Sequence, residues 1–410
     1  MLRPLLGLAA AAAIALPMPL AAESLGPVTD DLGVVEIAKG DPIVLGHWGS
    51  MSGPDSTDGI DERRGVEIAI ADAGGSLLGF QLKLVSEDAQ CTAEGGQLAA
   101  SKLAGDKRIL VALGPSCSSG ARVGAPILWN AGVAAVGIGA SAPALTAPDR
   151  PPGFAGYLRV VPNDVKQAGF AANFAAEVKK YKTAATIHDG SPYTEQLVRA
   201  FEKAFEAAGG KVLAKEAVAP DTSDMRPVLT RIATTPPDVI FMPLFTAAAA
   251  FTVRQAKEVP ALKSTALLGA GSTFSPGMID AAGDSVVGFY VVAAATDTFT
   301  DLYPAFVEKF KKEYGEAPTG GFSALGYDAG LTALKAIAAV AKTDADGNLY
   351  IGRKALRDAL FATKKLHGMT GDINCDQYGD CGTQVYAVWE FTSGAPGSFA
   401  TGTNPKKIFP

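Results

Sequence analysis

Short apolar runs alternate with longer amphipathic stretches along most of the chain. The run Ile109–Leu113 has the length of a buried strand, whereas Gly59–Ala73 carries its apolar residues on one helical face. Regular alternation of this kind is typical of βαβ units around a parallel sheet, so the pattern predicts an α/β fold. The first series of predicted elements comprises Pro42–Gly46, Gly59–Ala73, Phe80–Ser86, Ala93–Gly105, Ile109–Leu113, Ala121–Ala131 and Val133–Val136.

A second series begins near Val165, after an extended, proline-bounded stretch at Tyr157–Pro162. Another switch lies near Val287–Ala295, and the helices after Asp301 resemble a return to the first series. Two α/β domains that the chain enters more than once are joined by a hinge, which permits a cleft to close. The later predictions are Val165–Tyr181, Ala184–His188, Tyr193–Ala208, Lys211–Ala217, Met225–Thr234, Val239–Phe241, Ala247–Val259, Ser264–Leu268, Val286–Val292, Leu302–Tyr314, Ser323–Lys342, Arg353–Ala362 and a hairpin over Gly371–Phe391.

The N-terminus has the pattern of a secretory signal peptide. Arg3 precedes an apolar run from Leu5 to Leu16, and the small residues Ala21 and Ala22 follow as a cleavage site. A membrane anchor is the alternative, but the apolar run is too short to span a bilayer comfortably. We therefore predict that residues 1–22 are removed and that the mature protein is exported to the periplasm.

Length and net charge restrict the domain organisation and the classes of partner that we expect. The remainder of the 410-residue chain is too long for one core, which favours two domains. A net charge of -6 and a pI near 5.3 argue against nucleic acid or an anionic membrane surface as partner. The expected partner is a small molecule.

Four cysteines in an exported chain predict two disulfides. Three pairings are possible, and the most economical joins Cys91 to Cys117 and Cys375 to Cys381, because both bonds are then local in sequence. A reactive thiol or a metal cluster is the alternative. No histidine stands at metal-ligand spacing from any of these cysteines.

Two loops rich in small residues and hydroxyls follow predicted strands. They are Gly114–Gly120, after Ile109–Leu113, and Gly137–Pro143, after Val133–Val136. The carboxyl ends of parallel strands are where ligands bind in such sheets. Loops rich in N–H and O–H donors and poor in cations suit a carboxylate or similar acceptor held by neutral hydrogen bonds.

Catalytic and metal-site patterns are weak. The stretch Gly114–Ser118 lacks the glycine that would complete a nucleophile elbow, and the three histidines are scattered. The stretch Asp344–Asn348 lacks the sixth-position glycine and twelfth-position glutamate of a calcium loop. We predict neither an enzyme, a metal site nor a cofactor.

Several segments in order resemble periplasmic binding proteins of the branched-chain amino-acid (leucine/isoleucine/valine) class, which feed ABC transporters. The resemblance is spread over nearly the whole mature sequence. The segments that carry it are Gly49–Pro54, Arg64–Ala69, the pair Cys91 and Cys117, Cys117–Ser119, Ala140–Thr146, His188-Asp189 with Tyr193, Gly371, Cys375-Asp376 and Gly379-Asp380.

The resemblance implies the type I periplasmic-binding fold, with two Rossmann-like lobes carrying parallel sheets and three crossovers between them. It places residues 41–160 and 293–370 in lobe one, residues 161–292 and 371–395 in lobe two, and residues 396–410 in a C-terminal tail. It also implies a monomer whose lobes close on a ligand and present a changed surface to ABC permease subunits in the inner membrane. The pair Cys91 and Cys117 is similar to the family's lobe-one disulfide.

The resemblance implies a site as well. Ser118 and Ser141 match the positions whose hydroxyls and amides hold the ligand carboxylate, within loops that include Ala140. Gly139 matches a carbonyl acceptor for the ligand ammonium. From the second lobe, Tyr193 matches a ligand-facing tyrosine, and Phe245 matches an aromatic of the cleft wall.

Two positions depart from the family pattern. The acidic residue that pairs the ligand ammonium aligns with Gly271, and Asp58 stands where the family often has an aromatic residue. Burying an ammonium without a counter-charge is costly. Either the amine is read elsewhere, by Asp58, Asp189 or Glu195, or the ligand has no α-amine.

Plainer interpretations stand beside these. Ser118 and Ser141 can be helix caps, and Tyr193 can be a packing residue. Trp48, at the end of the first predicted strand, is a candidate ligand contact or a core residue. Asp58 is a ligand contact or a solvated loop acid.

The sequence therefore predicts an exported solute-binding subunit of an ABC importer, which binds a small carboxylate-bearing ligand by lobe closure. One alternative is an amino-acid or amide binder with a relocated acid for the amine. Another is a sensory ligand-binding protein that docks a membrane receptor.

Overall fold

The computed structural model describes residues 23–410, so the predicted signal peptide at residues 1–22 lies outside the described residues. Strands β1 (Glu23–Leu25) and β2 (Val28–Asp30) form an antiparallel pair, and β3 (Val34–Ile37) follows. Within this described range, no helix is both long and apolar enough to cross a membrane.

Lobe one, as we use the term for the structure, is built on a six-stranded sheet in the order β5-β6-β4-β7-β8-β9. All neighbours in this sheet are parallel except the short pair β5–β6. The elements are β4 (Ile43–Gly49), α1 (Ser56–Asp72), β5 (Ser76–Leu77), β6 (Phe80–Asp88), α2 (Ala93–Gly105), β7 (Ile109–Leu113), α3 (Ser118–Asn130), β8 (Ala134–Gly137) and β9 (Tyr157–Arg159).

Helices cover both faces of this sheet because its strands alternate their side chains between two cores. On β4, Ile43 and Leu45 belong to one hydrophobic cluster, whereas Val44 and Trp48 belong to the other, which includes buried residues of α2 and α3. A parallel sheet buried on both faces reads as a continuous apolar run, as β7 does.

Lobe two is built on a seven-stranded sheet in the order β11-β10-β12-β13-β14-β19-β20. The first five strands are parallel, and the last two join antiparallel. The elements are α4 (Asp164–Asn173), a π-helical turn (Phe174–Val178), β10 (Thr183–His188), α5 (Pro192–Ala207), β11 (Lys211–Ala217), α6 (Arg226–Ile232), β12 (Val239–Phe241), α7 (Thr246–Ala256), β13 (Ala266–Ala270), α8 (Pro276–Ala282) and β14 (Tyr290–Ala294).

The chain then returns to lobe one and crosses back once more to complete the second sheet. The remaining elements are α9 (Tyr303–Tyr314), α10 (Phe322–Val340), β15 (Lys342–Thr343), β16 (Leu349–Gly352), α11 (Arg353–Phe361), β17 (Leu366–His367), β18 (Asp372–Ile373), β19 (Tyr386–Glu390) and β20 (Lys406–Phe409). Short 3-10 turns lie at Pro143–Thr146, Pro152–Phe154, Pro260–Leu262, Gly271–Thr273, Gly283–Val286 and Thr296–Thr298. The α/β fold with two parallel-sheet lobes is confirmed.

The C-terminal part differs from its prediction. Instead of a hairpin over Gly371–Phe391, β18 pairs with β17, and β19 pairs with β14 and β20. Residues 372–381 stay in lobe one, because Ile373, Cys375 and Cys381 belong to its core. Residues 406–409, placed in a tail by the resemblance, form the edge strand of the lobe-two sheet. Local apolar patterns do not specify which distant strand a segment joins.

Both predicted disulfides, Cys91–Cys117 and Cys375–Cys381, are present. The second closes the turn that runs beside the first crossover. There the Arg159 amide donates to the Gly379 carbonyl (2.8 Å), and the Cys381 amide donates to the Arg159 carbonyl (3.0 Å). Main-chain hydrogen bonds therefore hold the first and the last crossover side by side.

The side chain of Arg159 is fully buried at this junction. Its Nε donates to Asp380 Oδ1 (2.5 Å), its Nη1 to the Ala142 carbonyl (2.8 Å) and its Nη2 to Thr146 Oγ1 (2.6 Å). Burial alone would raise the pKa of Asp380, but the Arg159 charge and hydrogen bonds from Arg159, Asn163 and Thr146 lower it below its ordinary value.

Asp380→Asn should destabilise the protein strongly, because it leaves the buried Arg159 guanidinium without its counter-charge. Removing one partner of a buried ion pair typically costs about 3–5 kcal/mol. Urea denaturation at neutral pH measures this, with Asp149→Asn, at an exposed loop position of the same lobe, as the matched control.

Because the Asp380 pKa is lowered in the fold, its stabilisation is present at neutral pH and is lost as pH falls through the folded-state pKa. The stability difference between wild type and Asp380→Asn should therefore shrink in acid. A difference that stays constant with pH, or a loss no larger than that of Asp149→Asn, would contradict this role.

Candidate functional site

A cavity lies between the carboxyl-end loops of the two sheets. The space has a volume of ≈ 850 Å³, counting solvent at its mouth. Residues of both lobes line it: Asp55, Asp58, Ser116, Cys117, Ser118, Gly139, Ser141, Val161, Gln167, Tyr193, Phe245, Gly271, Ser272, Phe274, Ala293, Ala294, Gly320, Gly321, Phe322, Leu325, Gln384 and Tyr386.

The two loops of the lobe-one wall are bonded to each other. Ser118, in the first turn of α3, accepts a hydrogen bond at Oγ from the Ala142 amide (3.1 Å). The Gly139 and Ala140 amides both donate to the Pro115 carbonyl (3.2 Å each). Since a hydroxyl has one proton and two acceptor positions, Ser118 can accept this bond and still donate its proton to a group in the cavity. The first-turn amides of α3, a 13-residue helix, add further donors and a positive dipole end.

Gly139 is held against the layer beneath it. A Cβ at this position would lie 2.5 Å from the Ser116 carbonyl oxygen and 2.6 Å from Glu62 Oε1, so a larger residue would push the loop outward. Glycine therefore lets the main chain of this loop pack close to Ser116 and Glu62.

Glu62 is a fully buried acid behind the donor loops. Its Oε2 accepts from Ser116 Oγ (2.6 Å), which in turn accepts from the Ser50 amide (3.0 Å), while Oε1 has no partner in the described residues. Burial raises the pKa of Glu62 to about 8. At neutral pH the group is therefore mostly protonated, and it places no full negative charge beneath an incoming carboxylate.

The lobe-two wall is aromatic and neutral. The rings of Tyr193 and Phe245 lie 5.6 Å apart between centroids, and Phe274 packs on Trp389 at 5.2 Å. Burial raises the pKa of Tyr193, so its phenol stays protonated. At Gly271 an added Cβ would meet nothing nearer than the Gln167 amide nitrogen, at 3.7 Å.

The lobes are joined across the cavity and at its rims. Asp55 Oδ1 accepts from the Thr246 amide at the start of α7 (3.4 Å). Gln196 Oε1 accepts from the Ala144 amide (2.9 Å). A third bond runs from Thr401 Oγ1 to the Thr319 carbonyl (3.1 Å). The lobes are therefore closed on each other.

Two acids from the start of α1 line the cavity. Burial raises the pKa of Asp55, and burial together with the charges of Asp55, Glu62 and Asp61 raises that of Asp58 well above its ordinary value. Among the described residues, no lysine, arginine or histidine lines this cavity. Its hydrogen-bond donors are therefore neutral groups.

Seven of the nine predicted ligand-site residues meet in this cavity. They are Asp58, Ser118, Gly139, Ser141, Tyr193, Phe245 and Gly271.

Trp48 and Ala140 do not line the cavity. β4 runs three residues beyond its predicted end, which puts Trp48 on the face that packs against α3, where a Cβ on Gly124 would lie 2.3 Å from its ring. The Ala140 carbonyl points inward, accepting from Tyr157 Oη (3.1 Å).

Several lining residues were not predicted. The sequence did contain a signal for Asp55, because an acid just before a helix is typical of a helix N-terminus. It contained no signal for Gln384 and Tyr386, because their place in the cavity depends on where the last crossover falls. Phe274 and Gln167 likewise follow from the packing of lobe two.

Comparison with known sequences finds that the family model described as periplasmic binding protein matches residues 42–395. A leucine-, isoleucine-, valine-, threonine- and alanine-binding protein of Pseudomonas aeruginosa is 25% identical over 86% of this chain and 90% of its own length. A Leu/Ile/Val/Thr-binding protein of Salmonella typhimurium is 30% identical over 49% of this chain, and the match spans only 54% of that relative.

Solved structures share the fold. A leucine-binding protein of Thermotoga maritima superposes with a TM-score of 0.77 at 24% identity, covering 86% of this chain and 96% of that one. A solute-binding protein of an ABC transporter from Rhodopseudomonas palustris, in complex with p-hydroxybenzoic acid, gives a TM-score of 0.73 at 21% identity, covering 90% and 96%.

Glu62→Gln should change how stability depends on pH. The folded-state pKa of about 8 exceeds the ordinary value of 4.5, so the native fold binds this proton more tightly than the unfolded chain does. Stability due to this group is therefore full below about pH 4.5 and falls as pH rises towards 8. We expect the melting temperature of Glu62→Gln, relative to wild type, to rise between pH 5 and pH 9.

Glu94→Gln, at an exposed position in α2, is the control and should follow wild type at both pH values. A Glu62→Gln offset that is the same at both pH values would show that the native carboxyl is ionised throughout.

Proposed function

Because this chain belongs to the periplasmic binding protein family, we propose that it is the exported solute-binding subunit of an ABC importer. In this role it captures a small carboxylate-bearing molecule between its lobes and delivers it to permease subunits in the inner membrane. The signal-peptide pattern of residues 1–22 supports export to the periplasm. We propose that the protein acts as a monomer.

The proposal is carried by the convergence of neutral donors on one wall of the cavity. Ser118, Ser141 and the amides at the start of α3 face a space without a lysine or arginine among the described residues. Hydrogen bonds to a charged acceptor are about twice as strong as neutral ones, so several such donors can hold a carboxylate without a cation. A protonated Glu62 beneath them removes the repulsion that an ionised carboxyl would exert.

The opposite wall supports a ligand that carries no ammonium next to its carboxylate. Gly271 stands where the resemblance expects an acid, and Tyr193 and Phe245 offer a phenol and a ring. The rings of Phe245, Phe274 and Phe322 suit an apolar or aromatic ligand body. The fold-sharing Rhodopseudomonas palustris protein in complex with p-hydroxybenzoic acid is consistent with such a ligand.

Replacing both hydroxyls should abolish binding. Ser118→Ala with Ser141→Ala removes two donors to the carboxylate and the anchor for the Ala142 amide. A thermal-shift screen of amino acids, aromatic acids and short aliphatic acids identifies binders to wild type, since a ligand at 100 times its Kd stabilises by about 2.7 kcal/mol. The double variant should lose that shift.

The matched control is Ser101→Ala, on the exposed face of α2, whose hydroxyl bonds only to the Gln97 carbonyl of its own helix. It should bind as wild type does. Retained binding in the double variant would remove these loops from the site.

Gly271→Glu should shift selectivity towards α-amino acids. The Gly271 position has room for a side chain, and a carboxylate there supplies the counter-charge that the resemblance expects. We expect leucine or isoleucine to stabilise the variant more than wild type in the same screen. If branched-chain amino acids stabilise wild type strongly and their keto acids do not, the ligand carries an α-amine and this part of the proposal is wrong.

A further inference from the structure

We propose that Asp58 is a second recognition point in the cavity, for a hydrogen-bond donor that the ligand carries at a distance from its carboxylate. The donor is an ammonium or a hydroxyl group. This inference rests on the proposed function, since it takes the carboxylate to lie at Ser118 and Ser141.

The first turns of α1 and the residue before it bring four acids together at the cavity, and two of them already have partners from the loops around them. Asp55 accepts from the Thr246 amide across the cleft (3.4 Å). Glu62 accepts from Ser116 Oγ on the lobe-one side (2.6 Å). Each of these two carboxyls therefore has one oxygen bonded to the protein itself.

The third acid is also occupied, and the fourth is not. Asp61 Oδ2 accepts from the amide (3.1 Å) and the hydroxyl (2.7 Å) of Thr319. Asp58 lines the cavity, and within residues 23–410 its carboxyl has neither a hydrogen-bond nor an ion-pair partner. Asp58 is half-buried, so its carboxyl is open to the cavity and free to accept a hydrogen bond from a ligand.

The surroundings of Asp58 favour a donor over an anionic group. Burial, and after it the neighbouring acids Asp55, Glu62 and Asp61, raise the pKa of Asp58 well above its ordinary value. A ligand anion would add to the repulsion among these acids, whereas an ammonium would offset it and favour the ionised carboxylate, and a hydroxyl can donate to a carboxyl oxygen in either protonation state. Asp58 and Tyr193 of the lobe-two wall line the same cavity.

The two recognition points lie on separate segments of one sheet edge. Asp58 lies in the first turn of α1, the helix after β4, whereas Ser118 and Ser141 follow β7 and β8, and these three strands are neighbours in that order. We therefore expect the ligand donor on a part of the molecule away from its carboxylate, as in a para-substituted benzoate or an aliphatic acid with a terminal amine.

Isothermal titration calorimetry with matched carboxylates tests this. The probes are benzoate, 4-hydroxybenzoate and 4-(aminomethyl)benzoate, with hexanoate and 6-aminohexanoate as the aliphatic pair. We expect wild type to bind a donor-bearing probe of at least one series roughly 10-fold or more tightly than its unsubstituted parent, the effect of one hydrogen bond to a charged group.

Two substitutions assign that preference to Asp58. Asp58→Ala should remove the preference and leave the Kd of the unsubstituted parent within about threefold of wild type, a change below 1 kcal/mol. Asp58→Asn, which keeps an acceptor oxygen without charge, should retain preference for a hydroxyl and lose preference for an ammonium. Asp149→Ala, at an exposed loop position, is the matched control, and melting of the unliganded variants checks that each is folded.

The outcomes separate the inference from the proposed function. The role of Asp58 is overturned if substituted and unsubstituted probes bind wild type with equal Kd and Asp58→Ala leaves those values unchanged. Carboxylate binding at the serines still stands in that case if the Ser118→Ala, Ser141→Ala double variant binds none of the probes. If no carboxylate of either series binds wild type, the proposed ligand class fails and the inference fails with it.

Discussion

The buried guanidinium of Arg159 fixes how the two lobes meet. Its donors reach Asp380 on the last crossover and the segment at Ala142 and Thr146 that follows Ser141, while its own main chain belongs to the first crossover. A buried charge of this kind is tolerated only when its partners are held in place. The junction between lobes and the shape of the donor loop are therefore parts of one hydrogen-bonded unit.

Among the described residues, no lysine, arginine or histidine lines the cavity. A carboxylate there depends on neutral donors, which in turn requires that nearby acids carry little charge. Burial raises the pKa of Glu62, and it also raises that of Asp55, although the Thr246 amide opposes this second shift. Of the four acids at the start of α1, Asp58 is the one whose carboxyl has no partner among the described residues, and for this reason we assign it to a donor of the ligand.

Much of this could be predicted from sequence, because strand and helix periodicities are local. The starts of α1 and α3 could not be predicted well, since Ser56 and Ser118 precede the first apolar residues of their helices, and both helices begin three residues before their predicted starts. The face on which Trp48 lies depends on where β4 ends. The disulfide Cys375–Cys381 was predicted, but the position of its segment in lobe one was not. That position depends on pairing with the first crossover, which is distant in sequence and leaves no local pattern.

Cys117 stands directly before Ser118, and its bond to Cys91 anchors the donor loop covalently to the segment that precedes α2. Such bonds form in oxidising compartments and are rare in the reducing cytosol. With the export that we propose, the donor loop would gain this covalent anchor only after the chain had left the cytosol.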